Sequence, residues 1–225
     1  MIVRLQLFLK LWLRSIYSLL IVLSIPVMAI VIYNSGTYTI ADLTSIIYEK
    51  AAPIWFIFIL QWFLAIEFDS KFYHQLITYP IVKWKFLIER LLFATLIFLG
   101  LLSVVTVILS YSYGNYFWKS FVFAIPLYMA MSGFVFFGTL IGKHSLGGLL
   151  MGIFFWMFYL FGGALLKDFN VILLVYGSVE RFVSGESGFW ASENRWILYN
   201  RSSYIGIGVL LMGAAMMTAH IKWRK

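Results

Sequence analysis

The chain has 225 residues, of which 63% are hydrophobic and only 12% charged, with a formal net charge of +8. A soluble domain carries about 25% charged residues, so a water-soluble globule is excluded: the polar residues are too few to cover this much Phe, Leu, Ile and Trp. Cysteine is absent, which removes disulfides, thiolate nucleophiles and cysteine-ligated metals and points toward a bacterial membrane protein.

The first fourteen residues, MIVRLQLFLKLWLR, set Arg4, Lys10 and Arg14 among Leu, Phe and Trp. Cations mixed with apolar groups in this way suit a helix lying in the membrane interface; the alternative is a plain extension of the first span. No small-residue cleavage site follows, so no cleavable signal is expected. A transmembrane helix needs roughly 20 apolar residues, with about 17 to 25 tolerated. That ruler predicts six spans, at 15–33, 51–66, 91–110, 121–142, 146–166 and 203–219. The second is short and starts at Pro53, a residue suited to a first helical turn. Pro26 and Pro126 fall inside spans, where neighbouring helices can satisfy a freed carbonyl. Small residues recur in the spans at Ser132-Gly133, Gly147-Gly148, Gly162-Gly163, Gly206, Gly208 and Gly213, which predicts close helix packing in lipid. The segment 167–202 contains VILLVY, too short to cross, and is punctuated by Gly177, Gly185 and Gly188. One or two short helices are expected there, at the outer face or re-entrant. With no repeat and no linker, residues 1–225 read as a single transmembrane domain.

Orientation follows from the basic residues. With both termini in the cytoplasm, the inside segments hold eleven basic residues against three acids (Glu67, Asp69 and Glu89), and the outside segments hold six of each sign. The positive-inside rule favours this arrangement, and the same asymmetry explains the basic balance without a nucleic-acid partner. The expected location is the plasma membrane of a bacterial cell.

Several chemistries are not written in the chain. There is no G-x-x-x-x-G-K-[ST] phosphate loop and no H-E-x-x-H. His74, His144 and His220 are far apart in sequence and are not expected to hold a metal. On the span boundaries above, no span centre contains Asp, Glu, Lys, Arg or His, residues that mark proton or ion paths when they occur there. Gln61 is then the one strongly polar side chain within a span, facing a cargo path or making one inter-helix hydrogen bond. An intramembrane enzyme is not expected. Any transport would draw its energy from a partner.

The most polar run of the first half is Glu67–Phe86, EFDSKFYHQLITYPIVKWKF. Its middle, Ser70–Tyr79, has room for about two to three helical turns at ~3.6 residues each, and Pro80 ends or redirects them. Phe72, Gln75, Leu76 and Tyr79 fall at i, i+3, i+4 and i+7, one helical face. A short amphipathic helix without a core beneath it covers lipid or fills a groove in another protein; the residues alone leave both open.

The run EFDSKFYHQLITYPIVKWKFLIERLL resembles the permease subunits of type-2 ABC exporters. These often carry an acidic cluster at the end of the second span, then a short helix with a Q-L-L-like core, a Pro, a basic residue and an aromatic or aliphatic pair. Here Glu67 and Asp69 match the acidic positions, Gln75-Leu76-Ile77 the helix core, Pro80-Ile81 and Lys83-Trp84 the turn into the next span, and Arg90 a basic position within it. Lys71-Phe72 departs from the Gly-Thr common in the family, so the start of the short helix differs.

The resemblance implies an all-α polytopic membrane protein with six transmembrane helices, an N-terminal interfacial helix, a cytoplasmic coupling helix and short outer helices before the last span. It implies that Phe72, Tyr73, His74, Gln75, Leu76, Ile77, Tyr79 and Pro80 form the coupling helix, seated in a separate ABC ATP-binding subunit that carries ATP and Mg. Glu67, Asp69 and Arg90 would be the charges of the coupling joint, with Glu67 and Asp69 paired to Arg90, Lys71 or the N-terminal helix. A second copy or a homologous permease would complete the transporter. The small size and very aromatic spans are similar to those of the short permeases of bacteriocin or antimicrobial-peptide immunity and export, which implies an amphipathic or hydrophobic cargo such as an antimicrobial peptide. The alternative is a membrane scaffold or accessory protein that transports nothing.

Overall fold

A computed structural model describes residues 2–35, 39–69, 83–162, 170 and 172–222, and all regular structure among them is helical. Helix α1 runs Ile2–Leu13 and α2 runs Ile16–Ser35. They meet at a 75° bend. Ser15 makes the break: its hydroxyl donates to the Trp12 carbonyl and accepts from the Ser18 amide, ending one helix and capping the next. Phe8 and Trp12, one turn apart, are the buried face of α1, while Leu7, Leu9, Leu11 and Leu13 face outward.

The next helix begins earlier than the spacing of apolar residues suggests. Thr39 and Asp42 form a reciprocal capping box, so α3 starts at Ile40 and covers Ile40–Thr44. It continues through a π-helical segment, Ser45–Ala51, into α4, Ala52–Phe68. Pro53 is therefore inside a continuous helix and does not start it. Proline has no N–H to offer the carbonyl four residues back. The carbonyls just before it turn to other partners: the Tyr128 hydroxyl donates to Tyr48 O at 2.8 Å and the Trp156 indole to Lys50 O at 2.9 Å.

Helix α5 spans Lys83–Tyr113, α6 Tyr116–Gly142 and α7 Ser145–Gly162. Then come the short α8, Gly177–Ser184, a 3-10 turn at Ser192–Asn194, and α9, Arg195–Lys222. Helices thus stand at all six expected positions. The last begins eight residues before the expected boundary at 203, which moves Arg201 from a loop into a helix. Three helices are long and apolar enough to cross a membrane by length and composition, Ile40–Ile66, Trp84–Tyr111 and Tyr116–Gly142. The bent pair Gln6–Leu13 and Ser18–Ser24 would add a fourth, and Ser145–Phe161 is a shorter apolar helix.

Helix α6 is the axis of the bundle, packed by α4, α5, α7 and α9. Small residues bring the backbones together. A Cβ on Gly138 would stand 2.5 Å from the Gly147 carbonyl oxygen across the α6–α7 contact, and one on Gly208 the same distance from Met129 O across α6–α9. Between α4, α5 and α6 the rings of Phe56, Phe98 and Tyr128 pack at 4.6 to 6.3 Å. The outer face is as apolar as the core: Leu146, Leu150, Phe154, Phe158 and Phe161 make a stripe along α7, with Phe154 69% exposed. Such a surface is stable only against hydrocarbon, so the chain is an all-α membrane-embedded protein.

Candidate functional site

Polar groups gather at the two opposite ends of this bundle. At the first end, α4 finishes with Asp69. Its carboxylate accepts from the Ser145 amide at 2.8 Å and from the Ser145 hydroxyl at 2.5 Å. Asp69 thereby caps the N-terminus of α7, where the unpaired amides and the helix dipole favour an anion. Gln61, two turns back along α4, donates from Nε2 to the same Ser145 hydroxyl at 3.3 Å. The structure brings Gln61 and Asp69 onto one serine, which makes Gln61 an inter-helix tie. His144 Nδ1 lies 3.3 Å from Asp69 and 3.2 Å from the Leu146 amide, which donates to it.

Arg90 packs against aromatic rings. It is buried in α5 with its guanidinium carbon 3.7 Å above the Phe8 ring and 4.5 Å from Phe86. It therefore fastens α5 to α1, reinforced by Phe8 packing on Phe63 and Phe93. Asp69 finds its contacts at Ser145 and His144, where α7 presents its N-terminus; Lys71 and the Arg4 side chain, two of the expected partners, lie outside the described residues. The Glu67 side chain and Phe72, Tyr73, His74, Gln75, Leu76, Ile77, Tyr79 and Pro80 lie outside the described residues.

The opposite end holds a group that the span boundaries concealed. Glu49, in the π segment, is 0% exposed and paired to Arg201 of α9, itself buried. The carboxylate also accepts the Ser45 hydroxyl at 3.1 Å, the Leu173 amide at 3.0 Å and the Leu174 amide at 3.1 Å. The Arg201 guanidinium carbon lies 4.1 Å from the Phe123 ring of α6. Asn200, next to it, donates to Asn170 O at 2.8 Å. One ion pair thus ties the helix containing α4 to α9, and its carboxylate pins Leu173 and Leu174 beside them. An ionised pair at this depth is tolerable because donors on every side replace the lost water.

The expectation concerns span centres; the helix that starts at Ile40 takes in Glu49, which a span boundary at 51 leaves outside. Two signals were present. Thr39-x-x-Asp42 before an apolar run marks a helix start, and it places Glu49 well inside that helix. Ile197, Asn200, Arg201 and Tyr204 fall at i, i+3, i+4 and i+7, and all four are buried.

Beside Arg201 an open groove of about 500 Å³ runs between α6, α8 and α9. Its walls include Val122, Phe123, Pro126, Phe182 and Ile197, with Lys119 at its rim. Lys119 Nζ donates to Ser184 O at 2.6 Å. Among the described residues no group of His, Asp or Glu could hold a metal ion. Compared with protein-family models, curated proteins and solved structures, the chain matches none.

Proposed function

We propose that the chain is the membrane-spanning permease subunit of an ATP-driven ABC exporter of the type-2 kind, with six spans and both termini in the cytoplasm. ATP and Mg belong to a partner ATP-binding subunit, and a second permease copy or homologous permease completes the pathway. The observation that carries this reading is the Asp69–Ser145 joint. It stands where α4 hands over to the EFDSKFYHQLITYP segment, and it ties the end of α4 to the start of α7. A push delivered at residues 72–80 would enter the bundle through that joint. At the far end the Glu49–Arg201 pair would pass the motion to α9. The 75° turn between α1 and α2, with Lys10 and Arg14 exposed, supports an interfacial first helix. A bundle so apolar outside its two polar ends suits an amphipathic or hydrophobic cargo, an antimicrobial peptide among them.

The test is co-purification. The full chain, expressed with its genomic neighbours in the native host, is expected to bring down an ATPase bearing a phosphate loop. Leu76→Asp or Tyr79→Pro should abolish that association while the variant still reaches the membrane. A chain that purifies without any ATPase, or whose ATPase survives both substitutions, is a scaffold or accessory protein instead.

A further inference from the structure

The groove beside Arg201 has a polarity that selects its occupant. Among the described residues that line it nine are apolar and two, Lys119 and Arg201, are cations, and none is an acid. Arg201 is matched by Glu49, which leaves Lys119 as the charge the groove offers. Its contact with Ser184 O takes one of the three donors of the ammonium. Lys119 lies in the first turn of α6, and Pro126 is seven residues deeper, about 10 Å at ~1.5 Å per residue. The cation is therefore at the helix end and the apolar trough runs inward from it. Trp118 and Phe189 of its lining are exposed, and the exposed Trp190 packs on Phe189, as aromatic residues do at the level of lipid headgroups.

We propose that this groove is a binding site for one anionic phospholipid of the surrounding bilayer, its phosphate on Lys119 and an acyl chain lying along Val122, Pro126 and Ile197. Charge complementarity decides the class: a cationic amphipathic peptide would meet Lys119 with like charge, and a zwitterionic lipid would gain less from it. The assignment is independent of the exporter reading, since it needs no ATPase and no transport.

Native mass spectrometry of the full chain in a neutral maltoside detergent tests it, with dioleoyl phosphatidylglycerol against dioleoyl phosphatidylcholine. One phosphatidylglycerol is expected to be retained about fivefold better, the worth of one lysine beside an anionic lipid. Lys119→Met should erase the preference, Lys119→Arg should keep it, and Val122→Trp, which fills the trough, should remove the bound lipid of either type. Far-UV circular dichroism checks that each variant is folded. Equal retention of the two lipids overturns the proposal, as does a preference that survives Lys119→Met or an adduct that survives Val122→Trp. Displacement of the lipid by a cationic amphipathic peptide, tighter in Lys119→Met, would reassign the groove to peptide.

Discussion

Replacing Arg201 by Met removes one half of the ion pair and leaves Glu49 buried among its remaining donors. Breaking a buried pair on one side costs about 3–5 kcal/mol. The Ser45 hydroxyl and the Leu173 and Leu174 amides would still bond the carboxylate, which places the loss at the lower part of that range. For a chain of this size each kcal/mol is worth about 2–4 °C of melting temperature, so a drop of about 6–12 °C is expected. The nine tryptophans permit intrinsic-fluorescence melting in one detergent throughout. The second arm adds Glu49→Gln to Arg201→Met. Glutamine keeps a carbonyl for the Leu173 and Leu174 amides but carries no charge. The double variant should therefore recover at least about half of the loss, a coupling of about 2 kcal/mol. If Arg201→Met melts within a degree or so of the unmodified protein, or the two changes simply add, the pair does not hold Leu173, Leu174 and α9 together as argued.

Asp69→Ala takes away two charge-assisted bonds at a half-exposed site, a loss of about 1–3 kcal/mol. Melting should fall by a few degrees. Asp69→Asn, still able to accept from the Ser145 amide, should fall less. An Asp69→Ala variant as stable as the parent would show that the joint between α4 and α7 is not held by this carboxylate. Two glycines of α9 offer a sharper contrast. Gly208→Ala would place a methyl 2.5 Å from Met129 O and force α6 and α9 apart, whereas a Cβ on Gly213 meets nothing within 4 Å. The first should destabilise by about 1–3 kcal/mol and the second should be neutral or stabilise by up to about 1 kcal/mol through helix propensity. Melting curves of the two variants side by side decide it, and equal effects would refute the close α6–α9 contact.

Much of this molecule is readable from composition and spacing alone. Apolar runs longer than a soluble protein can hide require helices in lipid; helices stand at each of the six places those runs mark, and three of them are long and apolar enough to cross a membrane by length and composition. The break after Arg14, the short helix near Gly177 and the use of glycine between helices follow from residue types whose backbone preferences are local. Asp69 was legible as an end-of-span acid, and Gln61 as a polar side chain needing a neighbour. Which neighbour was not legible. Ser145 lies 76 residues beyond Asp69, and only the antiparallel course of α4 and α7 brings a free helix N-terminus to it.

The Glu49–Arg201 pair shows the same division more strongly. A hydropathy ruler ends a span at the first charge, so it put both residues in loops. Each charge is costly in lipid by itself and acceptable beside the other. Their partnership spans 152 positions of chain and is completed by amides of a third segment. Local preference told the chain where to be helical and that lipid must surround it. Which buried charge meets which, and where a groove is left between helices, depends on how the helices pack, because those energies exist only between residues that folding brings together.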